Sequence, residues 1–287
     1  MEKEDLEKFI KSQEISKQVW EFSKPLVKEG VRSLDLVENI EKKIFELGGK
    51  PSWPVNISIN EIAAHHAPDA KDDTVFKQDD LVKVDFGVHV NGWISDNAYT
   101  VCIGKKTHPL IEVSEKALEA ALNAVKAGVK VSDISTIIDD IVTSAGFTTI
   151  KNLSGHGIDQ YTIHAEPSIP NSKSESQAIL EAGKIIAIEV FVTDGSGWVK
   201  ESRPITIYQF HADKPIRMFE ARKILDMAQK DFENLPFGTR WIKGVSPLKM
   251  DMALRQLLKA ESLEAYPPLK EESNGMVAVT EKTIIVE

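Results

Sequence analysis

The chain has 287 residues, 42% hydrophobic and 28% charged, a composition ordinary for a globular protein with a substantial core. A net charge of −9, with no Lys/Arg block carrying interleaved aromatics, argues against a nucleic-acid-binding surface. The charged start Met1-Glu2-Lys3-Glu4-Asp5 and the interruption of the longest apolar run, Ile185 to Thr193, by Glu189 argue against a secretory signal or membrane span, and the lone Cys102 excludes an internal disulfide framework and fits a reducing, cytoplasmic setting.

In chain order, the first organising feature is a repeat. Val27-Lys28-Glu29-Gly30-Val31-Arg32-Ser33-Leu34-Asp35-Leu36 returns as Val125-Lys126-Ala127-Gly128-Val129-Lys130-Val131-Ser132-Asp133-Ile134. In each copy one helix pattern stops at Gly and another opens near Asp, and the helical stretches Leu36–Leu47 and Ile134–Ala145 then end at Gly48 and Gly146. Unrelated helix pairs sharing common punctuation would read the same way, so the repeat alone leaves that alternative open.

After the first copy, Asn91-Gly92 sits between two alternating runs and predicts a hairpin, because a type I′ turn needs positive φ at both central positions. A two-residue loop sets Val90 opposite Trp93, Val88 opposite Ser95 and Gly87 opposite Asp96, and so puts Asp85 diagonally beside Asp96 on one face. Diagonal neighbours stand roughly 7–8 Å apart at Cα, close enough to share a cation. The other face, Val82, Val84, Phe86, Val88 and Val90, is apolar and belongs to a core. Aspartate is depleted in strands, so this pair needs a reason; a wet outer face with two incidental acids is the competing account.

After the second copy, Ile185–Ile207 is a weaker counterpart of this hairpin, with Ile188-Glu189-Val190 matching Val84-Asp85-Phe86 and Gly197-Trp198 matching Gly92-Trp93. Asp213–Gln229 and Pro247–Ala260 predict amphipathic helices of an inserted subdomain. Asn274-Gly275 predicts a further hairpin turn, and Val277 to Val286 a terminal strand containing Glu281.

Asp85, Asp96, His156 (in Ser154-Gly155-His156-Gly157-Ile158), Glu189 and Glu281 are thus polar residues in apolar or glycine-rich surroundings. Four carboxylates in one cleft require protonation or counter-charge, and two divalent cations balance them. Mostly oxygen donors with one nitrogen suit Mn²⁺, Fe²⁺, Co²⁺ or Zn²⁺.

These residues resemble those of the methionine aminopeptidases of the pita-bread fold, in the short type II form typical of archaea. The resemblance covers essentially the whole chain. It rests on Ser58-Ile59-Asn60-Glu61-Ile62-Ala63-Ala64-His65, Lys83-Val84-Asp85-Phe86-Gly87 with Asp96, Gly155-His156-Gly157-Ile158 with Tyr161-Thr162-Ile163-His164, Ala187-Ile188-Glu189, Leu235-Pro236-Phe237-Gly238-Thr239-Arg240-Trp241, and Glu281-Lys282-Thr283-Ile284. It implies an α+β fold: a single catalytic domain, 1–287, of two pseudo-two-fold-related halves, with a central antiparallel sheet flanked by helices. A helical insertion at 213–266 marks type II. It implies two divalent metal ions (Co, Mn, Fe or Zn) held by Asp85, Asp96, His156, Glu189 and Glu281, with Asp96 and Glu281 bridging. The expected activity is removal of the N-terminal methionine of nascent proteins and peptides by attack of a metal-bound hydroxide, with preference for a small second residue. Glu189 is the implied proton acceptor, and His65 and His164 the implied hydrogen-bond donors to substrate. A cytoplasmic monomer without nucleic-acid or membrane partners is expected.

Three positions depart from the family pattern. Trp53 stands where phenylalanine is common near the methionine pocket, Glu166 where glycine is usual and Lys282 where histidine is usual. Trp53 is therefore an expected substrate-binding residue of altered shape, and Lys282 should point away from the face of Glu281. A prolidase or proline aminopeptidase of the same fold, or a non-catalytic binding paralogue, are the alternatives; His66, His89, His108 and His211 read as structural or surface residues.

Overall fold

The computed structural model describes residues 2–287, and the sequence repeat is its organising principle. In the first half, helices α1 (Lys3–Ser23) and α2 (Ser33–Glu46) precede strands β1 (Lys50–Pro51), β2 (Asn56–Ile59) and β3 (Ile62–Ala64) and the hairpin β4 (Leu81–Val90) and β5 (Trp93–Cys102). In the second, α3 (Pro109–Ala124) and α4 (Val131–Ser144) precede β6 (Thr148–Thr149), β7 (Ser154–Asp159), β8 (Thr162–Pro170) and β9 (Ile185–Thr193). The remainder comprises β10 (Val199–Glu201), β11 (Ile207–Phe210), α5 (Phe219–Lys230), β12 (Phe237–Gly238), α6 (Pro247–Lys259), β13 (Leu263–Tyr266), β14 (Leu269–Glu271) and β15 (Val277–Ile285).

The repeated segments make the same hydrogen bonds. Gly30 N–H donates to the Phe76 carbonyl and Gly128 N–H to that of Leu180; Ser33 N–H donates to Thr74 and Val131 N–H to Ala178. Gly48 and Gly146 end α2 and α4 at φ +84° and +82°, a left-handed conformation that costs glycine little. Shared punctuation between unrelated helix pairs does not account for these matched tertiary bonds.

One large antiparallel sheet runs β1-β4-β5-β15-β9-β7-β8, with β2 also on β4 and β6 on β9. The pseudo-two-fold passes between β5 and β15. Helices α1 and α2 cover the first half, burying Val19, Val37, Ile40 and Ile44 against Val82, Val84, Phe86 and Val88, while α3 and α4 cover the second, burying Leu118, Ile134, Ile138 and Val142 against Ile186, Ile188, Val190 and Val192.

Where β5 meets β15 the ladder is short. Main-chain pairing joins Glu281 to Ala98 and Lys282 to Asn97, and two threonine hydroxyls bracket it. Thr283 Oγ1 accepts from Asp96 N–H and donates to the Asp96 carbonyl, both at 2.8 Å, and Thr100 Oγ1 does the same to Val279 at 2.9 and 2.8 Å.

Several local expectations need correction. The Asn91-Gly92 hairpin has the expected register and positive φ at both turn residues. Its counterpart after Glu189 is not a hairpin: β9 pairs with β15, β7 and β6, and Val199–Glu201 leaves for a small sheet with β14 and β3. The structural equivalent of β5 is instead β15, more than seventy residues further along the chain. Asn274-Gly275 is likewise a turn without a hairpin, because β14 and β15 lie in different sheets. Its conformation is set by the buried Glu271 carboxylate, which accepts from the main-chain N–H of Ser196, Gly197, Ser273 and Gly275 and from the hydroxyls of Ser196 and Ser273.

Helix α5 starts at Phe219 rather than Asp213, Pro215 lying in the stretch before it. With α6 it packs on the three-stranded sheet β12-β11-β13 around Ile224, Phe237, Leu254 and Leu257. Part of the segment expected to be helical is therefore strand, and β11 precedes it. The unit is fastened to α2 by Glu41, which accepts two hydrogen bonds from the Arg240 guanidinium and one from Trp241 Nε1. Arg240 and Trp241 of the quoted motif thus serve docking.

Candidate metal centre

The sheet order carries one candidate ligand on each of five adjacent strands: Asp85 on β4, Asp96 on β5, Glu281 on β15, Glu189 on β9 and His156 on β7. Cross-strand register arranges them in two rows. Asp85, Ala98, Glu281 and Glu189 are consecutive partners in one, and Gly87, Asp96 in the hairpin and Thr283, Ala187, His156 beyond it form the other, two residues away. Because strand side chains alternate, positions two apart share a face, and adjacent strands lie about 4.8 Å apart. Ala98 and Ala187 leave open the space into which the larger side chains lean.

The donors are buried: Asp96 is 3%, Glu281 4% and His156 7% exposed, with Asp85 and Glu189 half-buried. One ligand atom each from Asp96, His156 and Glu281 lies within 4.8 Å of the others. Burial pushes the Asp85 carboxyl up to about 7, and burial with the repulsion of neighbouring carboxylates pushes Asp96, Glu189 and Glu281 well above the usual carboxylate range. Among the described residues no Lys or Arg ion-pairs with any of the four. Lys83 lies on the same strand face as Asp85, but its ammonium donates to the carbonyls of Asn60, Leu81 and Val277.

Asp85 Oδ1, Asp96 Oδ1 and Glu281 Oε1 are buried without a hydrogen-bond partner. His156 completes the pattern: its Nδ1 donates to the Gly157 carbonyl at 3.0 Å, which fixes the tautomer and leaves Nε2 with a lone pair 3.6 Å from Asp96 Oδ2. Burial lowers the His156 pKa to about 4, so this lone pair meets a carboxylate oxygen. Orphaned oxygens facing an imidazole lone pair are satisfied by a cation, and oxygen-rich donors with one nitrogen fit a first-row divalent ion.

These residues floor a cleft of about 390 Å³. His65 enters it from the end of β3 with φ +61°, a strained conformation for a non-glycine residue, and its Nδ1 has no partner. Burial lowers its pKa to about 4. His164, on β8, faces the open side 4.7 Å from the His156 ring, and its pKa is also lowered by desolvation. Tyr266 contacts both, 5.5 Å from His65 and 6.2 Å from His164.

Trp53 lines the cleft beside Asp85, its six-membered ring seated over Gly87, where a Cβ would stand 2.2 Å from Cη2. It belongs to an apolar cluster with Ile163 and Leu235. Lys282 is exposed, unlike its buried neighbour Glu281.

All seven residues singled out from the sequence, the five candidate ligands with His65 and His164, line this cleft, as does Trp53. Sequence reasoning missed Tyr266, whose phenol donates to Gln209 at 2.6 Å, and Asn56, paired with Asp85 across the ladder. Register to Asp85 is the signal for Asn56; Tyr266 sits in the insertion with no local motif. His66 Nδ1 donates to the Ile57 carbonyl, His89 accepts from Gly92 N–H, and His108 caps α3, which are structural roles.

Metallopeptidase family M24 matches residues 7–228. A curated methionine aminopeptidase of Thermococcus kodakarensis is 43% identical over 286 residues, which covers 99% of this chain and 97% of that one. Among solved structures, a methionine aminopeptidase from Thermotoga maritima aligns with a TM-score of 0.72 at 21% identity over 100% of this chain and 94% of its own, and a thermophilic Arx1 with 0.88 at 18% identity over 99% and 88%. Those two likenesses concern the fold.

Proposed function

The chain belongs to metallopeptidase family M24 and, within it, to the methionine aminopeptidases; from that premise we propose how its own residues remove an N-terminal methionine. The observation that carries the proposal is the set of five donors, one on each of five adjacent strands, with orphaned oxygens on Asp85, Asp96 and Glu281. Two divalent ions (Co, Mn, Fe or Zn) held by Asp85, Asp96, His156, Glu189 and Glu281 would supply an acidified water and polarise the scissile carbonyl. The substrate's free α-amino group binds at this acidic floor, which restricts cleavage to the first peptide bond.

Glu189 accepts the proton of the attacking water, being half-buried beside Glu281 and open to the cleft. His65 and His164 are neutral at physiological pH and donate hydrogen bonds to the developing oxyanion and the peptide nitrogen. The apolar end of the cleft, with Trp53, Ile163, Ile207 and Pro236, receives the methionine side chain. His65, His164 and Tyr266 crowd the position that follows, which supports a preference for a small second residue.

Residues 213–266 form the insertion that marks the type II form, in keeping with the nearly full-length match to an archaeal relative. A cytoplasmic monomer acting on nascent chains is the setting we infer. A single cysteine is consistent with it, and no described helix is long and apolar enough to cross a membrane.

The test is methionine release from Met-Ala-Ser by metal-stripped protein before and after addition of Mn²⁺ or Co²⁺. Metal-dependent release, with Met-Leu-Ser a poorer substrate, is expected. Folded, metal-loaded protein that releases nothing, or that cleaves Met-Pro instead, would overturn the reading.

A further inference from the structure

The cleft has two ends of different chemistry. Trp53 and Ile163 at one end belong to the apolar cluster of Leu235, whereas Ala64, Leu153 and Phe191 at the other belong to a separate cluster under a polar wall of β7 and β8. That wall is built of Ser154 and, along one face of β8, His164, Glu166 and Ser168. Ser168 Oγ donates to Ser154 Oγ at 2.9 Å. The Glu166 backbone is fixed as well, because its carbonyl lies where a Cβ at Gly157 would approach within 2.2 Å.

The Glu166 carboxylate is exposed in this wall and accepts one hydrogen bond, from Ser168 N–H at 3.3 Å. It enters none of the ion pairs among the described residues. Glu264 of β13 adds a second negative charge near His164, close enough to favour the charged form of the imidazole.

We propose that Glu166 is a specificity-determining residue that selects a cationic side chain at the third position of the substrate. The inference rests on the aminopeptidase reading above. With the methionine side chain in the apolar end and the scissile bond at His164, the chain beyond that bond leaves along the polar wall. Glu166 lies two residues beyond His164 on β8, roughly 6.6 Å at the strand rise of about 3.3 Å per residue. An extended peptide advances at the same rate, so its third side chain comes level with Glu166. A lysine or arginine there meets an unpaired carboxylate, and an aspartate or glutamate meets a like charge.

The experiment compares kcat/KM for the peptide amides Met-Ala-Lys-Ser, Met-Ala-Ser-Ser and Met-Ala-Glu-Ser, at low and high salt, in the metal-loaded wild-type chain and in Glu166→Gln. The ratio of Lys to Glu peptide is read within one protein preparation, so it does not depend on the folded or metal-loaded fraction. Exposed charge pairs are weak and salt-screened, so the wild type should favour the Lys peptide by about fivefold at low salt, through KM, with the preference shrinking at high salt. Glu166→Gln should bring the ratio close to one. Methionine release from all three peptides with the same ratio in both proteins would overturn the Glu166 assignment alone. No release from any peptide by either protein would overturn the peptidase reading and the assignment with it.

Discussion

Replacing Thr283 by Val tests how the fold holds its most buried ligand. The substitution keeps volume and β-branching but removes the hydroxyl that both accepts from Asp96 N–H and donates to the Asp96 carbonyl, each at 2.8 Å. Thr283 is 2% and Asp96 3% exposed, so water does not replace either bond. A buried polar group left unpaired costs about 1–3 kcal/mol, and two of them set the expected loss at about 2–6 kcal/mol, a large share of the 5–15 kcal/mol typical of a domain.

The same bracket occurs at Thr100 around Val279, so Thr100→Val removes an equal pair of bonds without touching a ligand. Urea denaturation of the metal-free proteins should show similar losses for the two variants. Isothermal titration with Mn²⁺ should separate them: Thr283→Val frees the Asp96 backbone and weakens binding about 10- to 100-fold, as loss of a group supporting a ligand does, while Thr100→Val leaves affinity unchanged. Unaltered affinity in Thr283→Val, or equal weakening in both, would refute the claim that the bracket positions Asp96.

Three other perturbations report on the surrounding structure. Desolvation raises the Glu271 carboxyl, but hydrogen bonds from Ser196, Gly275 and Ser273 outweigh it and hold the pKa at about 2 against the usual 4.5; the associated stability, about 3 kcal/mol, is present above pH 4.5 and lost as pH falls toward 2, so Glu271→Gln should flatten the acid limb of a Tm-against-pH curve, and an unchanged limb would contradict this. Gly87→Ala should displace the Trp53 ring, costing about 1–3 kcal/mol by overpacking and changing Trp fluorescence; a variant of wild-type Tm and emission would show that the ring does not sit over Gly87. Glu41→Ala strands the Arg240 guanidinium, whose side chain is 11% exposed, and should cost about 3 kcal/mol in a denaturant titration, with the segment around α5 and α6 losing hydrogen-exchange protection first; uniform loss across the chain would contradict its docking role.

What the sequence made legible was local or repeated. Asn91-Gly92 dictates a two-residue turn, and the turn dictates the register that puts Asp85 and Asp96 on one face. Gly30, Gly48, Gly128 and Gly146 mark the two helix pairs because their left-handed backbone favours glycine. What stayed hidden was which strands pair at a distance. Gly197-Trp198 imitates Gly92-Trp93, but the partner of β9 is β15, near the carboxyl end of the chain, and only that topology sets Glu281 directly opposite Glu189. Glu271 resembles an ordinary loop acid, and only the fold gathers six donors around it. Position within the fold also changes how a ligand can be tested. Deleting the last eight residues removes most of a central strand along with Glu281, so loss of activity would say little about coordination, whereas Glu281→Gln leaves β15 in place.

The most direct test of the central claim is an anomalous-difference map from crystals of the chain loaded with Mn²⁺ or Co²⁺. Two peaks are expected among Asp85, Asp96, His156, Glu189 and Glu281, with fewer in Glu281→Gln. A well-ordered crystal of loaded wild-type protein with no peak inside this set, or with its ions bound elsewhere, would contradict the account.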